Sequence, residues 1–208
     1  MSLLSQVSAK ARLRLFVSDV AGVAAVEFAC LAPLLMLMTF GTFEVSRALL
    51  ANKRFQRATA MVGDLVSREK QIGDNPGDAS DTLNGMLVSA EHVMQPYSSA
   101  PLQMAVTQLR ASSTDATKTT IEWAWSYHNM PIGLCGDPKT LSNTNMVTKG
   151  NAVIVVEAKY SYKPLLTKII PGLVGDMTWT DTMMFSPRYG SVFYGQDKLN
   201  TLCPPGTG

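Results

Sequence analysis

Residues 22–43 read GVAAVEFACLAPLLMLMTFGTF, an apolar run whose single acidic residue, Glu27, lies near its start. A helix crosses the hydrocarbon core of a bilayer with about 20 mostly apolar residues, so this run is long enough to span. A carboxylate inside such a run is costly and points to a function with a partner group. Ala21, Gly22, Val23 and Ala24 form a small-residue cluster ahead of the run. In a secretory signal the cleavage site follows the apolar stretch instead. A cut at this cluster therefore leaves the membrane helix on the mature protein.

The chain has 208 residues and a formal net charge of +2. Its length predicts one domain with appendages, and the near-neutral charge argues against nucleic acid as a partner. Lys10, Arg12 and Arg14 precede the apolar run, while Arg47, Lys53, Arg54 and Arg57 follow it. The charge count alone favours a cytoplasmic C-terminus, but long domains translocate largely regardless of charge. The expected orientation keeps the N-terminus inside. Of three cysteines, Cys30 lies in the apolar run, where it acts as a small hydrophobe. Cys135 (in GLCGDP) and Cys203 (in TLCPPG) can pair in an oxidising compartment, whereas in a reducing one they stay free thiols.

Downstream of the run no breaker appears before GDNPGD at 73–78, which predicts one long helix over 23–72. It is membrane-embedded over about 23–43, kinked at Pro33, then amphipathic with Val45, Leu49, Phe55, Val62 and Val66 on its apolar side. A second helix follows, capped by Ser80 or Asp81, with Leu83, Met86, Leu87, Ala90, Val93 and Met94 as its stripe. From about Pro101 the period changes to two. Met104, Val106 and Gln108 alternate with Ala105, Thr107 and Leu109, and TTIEWAW puts Ile121, Trp123 and Trp125 on one face. Further strands are expected over 152–162 and 177–186. The fold class is therefore α+β: a long N-terminal helix packed with a second helix on a small antiparallel sheet of about four strands. The domain division is a basic leader over 1–22, the long helix over 23–72 and a head over 73–208.

Little in the chain suggests catalysis. His92 and His128 are the only histidines, and His128, Cys135 and Asp137 lack the spacing of a zinc site. No Gly-x-Ser-x-Gly elbow, Walker loop or Rossmann glycine motif occurs. No catalytic residue, metal or cofactor is expected. Trp123, Trp125, Trp179, Tyr160 and Tyr162 sit in strand patterns and suit a core; Tyr189 and Tyr194, in PRYGSVFYG, are better candidates for external contact.

The segment GVAAVEFACLAPLLMLMTFGTFEVSRAL resembles the N-terminal signature of TadE-like pseudopilins, minor pilin-like proteins of the tight-adherence (Flp) pilus assembly system. That signature is a basic leader, Gly-x-Ala-Ala-Val-Glu-Phe-Ala, an apolar run with a proline, and Gly-x-x-Glu/Asp-x-x-Arg. Here Gly22, Ala24, Ala25, Val26, Glu27, Phe28, Ala29, Pro33, Gly41, Glu44 and Arg47 fill it. Looser likenesses follow at Trp125-Ser126, at Tyr160-Ser161-Tyr162 before Pro164, and at Ser186-Pro187-Arg188.

The resemblance implies cleavage by a prepilin peptidase between Gly22 and Val23. It also implies a single-pass bacterial inner-membrane protein with a periplasmic head that takes part in pilus biogenesis and can enter the fibre. Other pilins or pseudopilins and the inner-membrane assembly platform are its implied partners. A glycine at the cut lets the backbone enter a narrow groove. The freed amino group of Val23 then lies one helical turn from Glu27, which can neutralise it in the same chain or in a neighbour. Two other readings stay open: an uncleaved anchor carrying a periplasmic binding module, with Glu27 snorkelling to the interface, and a periplasmic enzyme.

Overall fold

The computed structural model describes residues 20–141, 147–169, 172 and 175–194. Residues 1–19 of the leader, the chain after 194 and with it Cys203 lie outside the described residues. The chain runs α1 (Val20–Arg68), α2 (Pro76–Met94), β1 (Leu102–Ala111), β2 (Thr119–Tyr127), β3 (Ala152–Tyr162), α3 (Leu165–Ile169) and β4 (Met177–Phe185). The strands form one antiparallel sheet in the order β2-β1-β3-β4. This is the expected α+β class with four strands. By contact density the chain divides into two units, one ending at Arg47 and one beginning at Ala48.

In the second unit, α1 from Ala48 onward and α2 cover one face of the sheet. Ala48, Ala51, Phe55, Ala58, Val62 and Val66 of α1 share a core with Ala79, Leu83, Leu87, Ala90 and Met94 of α2 and with Met104, Val106, Trp123, Ile154, Val156 and Tyr160 of the strands. Val45 and Leu49, expected on the apolar stripe, are each 60% exposed. The helical period explains the difference. Leu49 precedes Phe55 by six residues, about 120° around the helix, whereas Ala48 precedes it by seven and falls almost in line. Small residues at 48, 51 and 58 let the helix approach the sheet closely. Gly63 carries this furthest, because a Cβ there would lie 2.0 Å from the ring of Phe185. Gly63→Ala is therefore expected to destabilise the head by about 1–2 kcal/mol, overpacking outweighing the roughly 1 kcal/mol gained in helix propensity. Chemical denaturation of the two proteins checks this.

The helix ends differ from expectation. α1 stops at Arg68 rather than Ile72, because Gln71 and Ile72 pair with the C-terminal segment: the Ile72 N–H donates to the Phe193 carbonyl at 2.9 Å, and the Phe193 N–H to that of Lys70 at 3.1 Å. α2 is capped by Asn75, not Ser80 or Asp81; its Oδ1 accepts from the Asp78 N–H at 3.0 Å, with Pro76 opening the helix. Asparagine followed by proline is the stronger start signal, since proline has no N–H to leave orphaned. At the far end of α2, Arg54 donates to the carbonyls of Val93, at 3.3 Å, and Gln95. A cation there satisfies carbonyls left over by the helix and complements its dipole.

The sheet also departs from simple alternation. Gln108 pairs with Trp123 and Leu109 with Ile121, so Glu122 is an extra residue in β2. This bulge turns Ile121 to the face opposite Trp123, where the expectation placed all three together. On that face Ile121 joins Leu109, Ala111, Ala124, Val153 and Val155 under Leu141 and Val147 of the long β2–β3 connection. Tyr194, expected at the surface, is buried instead, its ring 6.3 Å from that of Trp123. Tyr189 is exposed.

Polar groups fasten this segment. Gln108 donates through Nε2 to Ser191 Oγ at 2.8 Å and to Glu122 Oε2 at 2.6 Å, and its Oε1 accepts from the Val192 N–H at 2.8 Å. Arg110 donates to Glu122, to the Gly150 carbonyl at 3.0 Å and to Ser191 Oγ at 3.2 Å. The Trp123 indole N–H donates to the Val192 carbonyl at 3.0 Å.

A second polar contact joins α2 to β2. The Tyr127 hydroxyl donates to Glu91 Oε1 at 2.8 Å. Burial, reinforced by the adjacent Glu91 carboxylate, pushes the phenol up to about 12. A phenol held more tightly protonated when folded contributes stability that is complete below its unfolded value, near 10, and is lost as pH rises through about 12. Burial raises Tyr160 and Tyr194 as well. The head is thus expected to lose stability between pH 10 and 12, and Tyr127→Phe to lose less over that interval. Thermal melts across this range measure it.

Candidate functional site

The first unit contributes the N-terminal part of α1, and here the surface is apolar almost throughout. Val23, Val26, Phe28, Leu31, Leu34 and Leu35 are all more than half exposed, as are the large apolar residues from Met36 to Phe43. Among the described residues this is the one helix long and apolar enough to cross a membrane; its most apolar 18-residue window has a mean hydropathy of 2.0 and none of it is buried. Exposed apolar side chains do not stop at Phe43, where the span was expected to end, but continue through Val45, Leu49 and Leu50 before Lys53.

The hydroxyls in this stretch suit a lipid setting. Thr39 Oγ1 donates to the Leu35 carbonyl at 2.8 Å, Thr42 Oγ1 to that of Met38 at 2.8 Å and Ser46 Oγ to that of Thr42 at 2.9 Å. Hydrocarbon offers no water, so every polar group must find its partner inside the segment. Three hydroxyls bonded back along their own helix meet that demand. Their spacing of three and four within an apolar run is the sequence signal that marks them.

Gly22 and Val23 lie in the helix α1. At Gly22 an added Cβ would meet no atom within 4 Å, and the same holds at Gly41. Glycine in a helix costs about 1 kcal/mol relative to alanine, and the fold of this chain gives no steric reason to accept that at either position. Glu27 is exposed, at the position one turn beyond Val23. Ala24, Ala25, Val26, Phe28 and Ala29 are exposed around it, and Pro33 lies inside the helix. Gly41 opens a shallow hollow on the helix surface, flanked by Leu37, Met38, Thr42, Val45 and Ser46. Glu44 is buried, at 5% exposure, and the Arg47 guanidinium lies over the Phe43 ring, 6.0 Å from its centroid.

The structure therefore groups Gly22, Val23 and Glu27 at one end of the apolar helix, and Gly41, Glu44 and Arg47 about four turns further along. Elsewhere, Cys135 is disulfide-bonded and Cys30 is free, while Cys203 lies outside the described residues. His128 is occupied structurally: its Nδ1 is 2.8 Å from the Leu102 carbonyl, its ring stacks on Tyr127 and its Nε2 is 3.8 Å from Glu91. Among the described residues no group of three or more His, Cys, Asp or Glu could hold a metal ion. No curated protein matches the chain, and no solved structure does. One comparison is positive and falls on the helix just described: residues 22–64 match the family model of TadE-like proteins.

Proposed function

We propose that this protein is a pilin-like subunit of the tight-adherence (Flp) pilus system, held in the bacterial inner membrane by α1 and taking part in pilus biogenesis without enzymatic activity of its own. The observation that carries the reading is the TadE-like match on a helix whose large apolar side chains are exposed from Val23 to Phe43. In this reading the leader is cytoplasmic, the head is periplasmic, and a prepilin peptidase cuts between Gly22 and Val23. Gly22 supports it because no packing among the described residues demands a glycine there.

Cutting places the Val23 ammonium one turn from the Glu27 carboxylate. A charge pair at the edge of lipid is stabilised far more than one in water, and it can form between neighbouring subunits as well as within one. Other pilins, pseudopilins and the inner-membrane platform are the partners proposed. An oxidising periplasm also agrees with the bonded Cys135, for which Cys203 is the proposed mate.

Glu27→Ala is expected to leave cleavage intact and to reduce recovery of other pilus components with the tagged protein by about tenfold, the scale of losing one partly desolvated charge pair. Affinity purification from envelopes of peptidase-positive and peptidase-negative cells tests the assignment. Pilus components should accompany the protein only from the former; equal recovery from both would contradict it.

A further inference from the structure

The two edges of the sheet are treated differently. The outer side of β2 is covered by the segment after Leu134: the Ile121 N–H donates to the Asp137 carbonyl at 3.0 Å, the Gly136 N–H to that of Ile121 at 2.8 Å and the Lys139 N–H to that of Thr119 at 3.0 Å. β4 closes the other end of the sheet and, among the described residues, pairs only with β3. Among the described residues no backbone hydrogen bond reaches its outer side. Nine residues of unpaired edge are a template for another strand, and proteins ordinarily blunt such edges with lysine or proline. β4 contains neither; its sequence is MTWTDTMMF.

Its side chains also look unfinished. On the helix-facing side Met177, Trp179, Asp181, Met183 and Phe185 are each only half-buried, and Thr178, Thr180 and Thr182 are exposed on the other. Asp181 is the single charge, and its Oδ2 is buried with no hydrogen-bond partner among the described residues. A buried carboxylate oxygen without a donor is costly. In a strand added to β4, the residue opposite Asp181 would share its face with Cβ atoms about 5 Å apart, within reach of a Lys or Arg head group. Residues two positions to either side would lie beside Trp179 and Met183.

We propose that the free edge of β4 is a docking site for an extended segment of a partner protein, one that carries a Lys or Arg flanked at alternate positions by apolar residues. Main-chain pairing supplies affinity, and the cation on Asp181 sets register. The proposal concerns the head alone and does not depend on cleavage at Gly22.

The test uses the full chain in detergent micelles and three blocked peptides. The first is Val-Thr-Val-Thr-Lys-Thr-Val-Thr-Val, the second has Glu in place of Lys, and the third is the Lys peptide N-methylated at alternate amides. Hydrogen exchange across 177–185 and Trp179 fluorescence report binding. The Lys peptide should slow exchange in β4 and bind about tenfold tighter than the Glu peptide. N-methylation should abolish binding, and Asp181→Asn, with unchanged circular dichroism, should erase the preference for Lys. Three results would overturn the proposal: no protection of β4 by any peptide, equal binding of the Lys and Glu peptides, or protection that rises with the protein's own concentration without peptide, which would make a second copy the occupant.

Discussion

Gly22→Val is expected to yield a chain that inserts and folds normally but stays in its long form, with conversion slowed about 100-fold or more. In the folded chain a Cβ at position 22 meets nothing within 4 Å, so valine creates no clash in the helix or the head. Its helix propensity is no worse than that of glycine. Any loss must then arise outside this chain, in the groove that accepts the scissile bond. One misplaced methyl group in a close-fitting site costs roughly 10–200-fold in rate, and valine adds more than one. Pulse-labelled chains separated by size give the rate, and a melt of the purified variant confirms that the head is intact. Gly22→Ala should fall between the two. Native conversion of Gly22→Val would remove the steric argument.

The second large effect is expected in the head. Gln108→Leu keeps the volume of a fully buried side chain but removes three hydrogen bonds at once. The Val192 N–H loses its acceptor, and Ser191 and Glu122 each lose a donor. Each buried polar group left short costs about 1–3 kcal/mol, so the variant should be less stable by about 3 kcal/mol. For a unit of this size that lowers Tm by roughly 6–12 °C. Hydrogen exchange should locate the loss at Ser191–Tyr194, the segment that also bonds to Lys70 and Ile72 at the end of α1. Ser191→Ala, which leaves the Gln108 amide bonded to Glu122 and Val192, should cost much less. If Gln108→Leu matched the native chain in stability, the network would not be what fastens the segment.

How far the residues could be read depended on whether local pattern or distant partners decided the outcome. β3 was legible to its ends, because AVIVVEAKYSY is dense in β-branched and aromatic residues with turn residues on both sides. The apolar helix was legible from length and hydropathy, and the match of its segment to the TadE-like family model from closely spaced residues between Gly22 and Arg47. The packed part of α1 was only half legible. Phe55, Val62 and Val66 announce themselves, but Ala48, Ala51 and Ala58 matter because they are small, and smallness signals nothing until the opposing sheet is known.

Ile121 was misplaced by one bulged residue, since a period of two carries every later side chain to the wrong face once an insertion is missed. The network of Gln108, Arg110, Glu122 and Ser191 joins positions as far as 83 residues apart in the chain, and no local pattern marks it. At the candidate site, the roles of Gly22, Val23 and Glu27 came from resemblance. What the structure adds is that the fold itself makes no demand for glycine at 22 and leaves Glu27 exposed beside apolar surface.

The central claim is that processing occurs ahead of the apolar helix and leaves that helix on the protein. N-terminal sequencing with intact-mass measurement of protein taken from its native envelope tests it most directly. The account predicts a chain that begins at Val23 and lacks the first 22 residues. A chain that still begins at Met1 would contradict it.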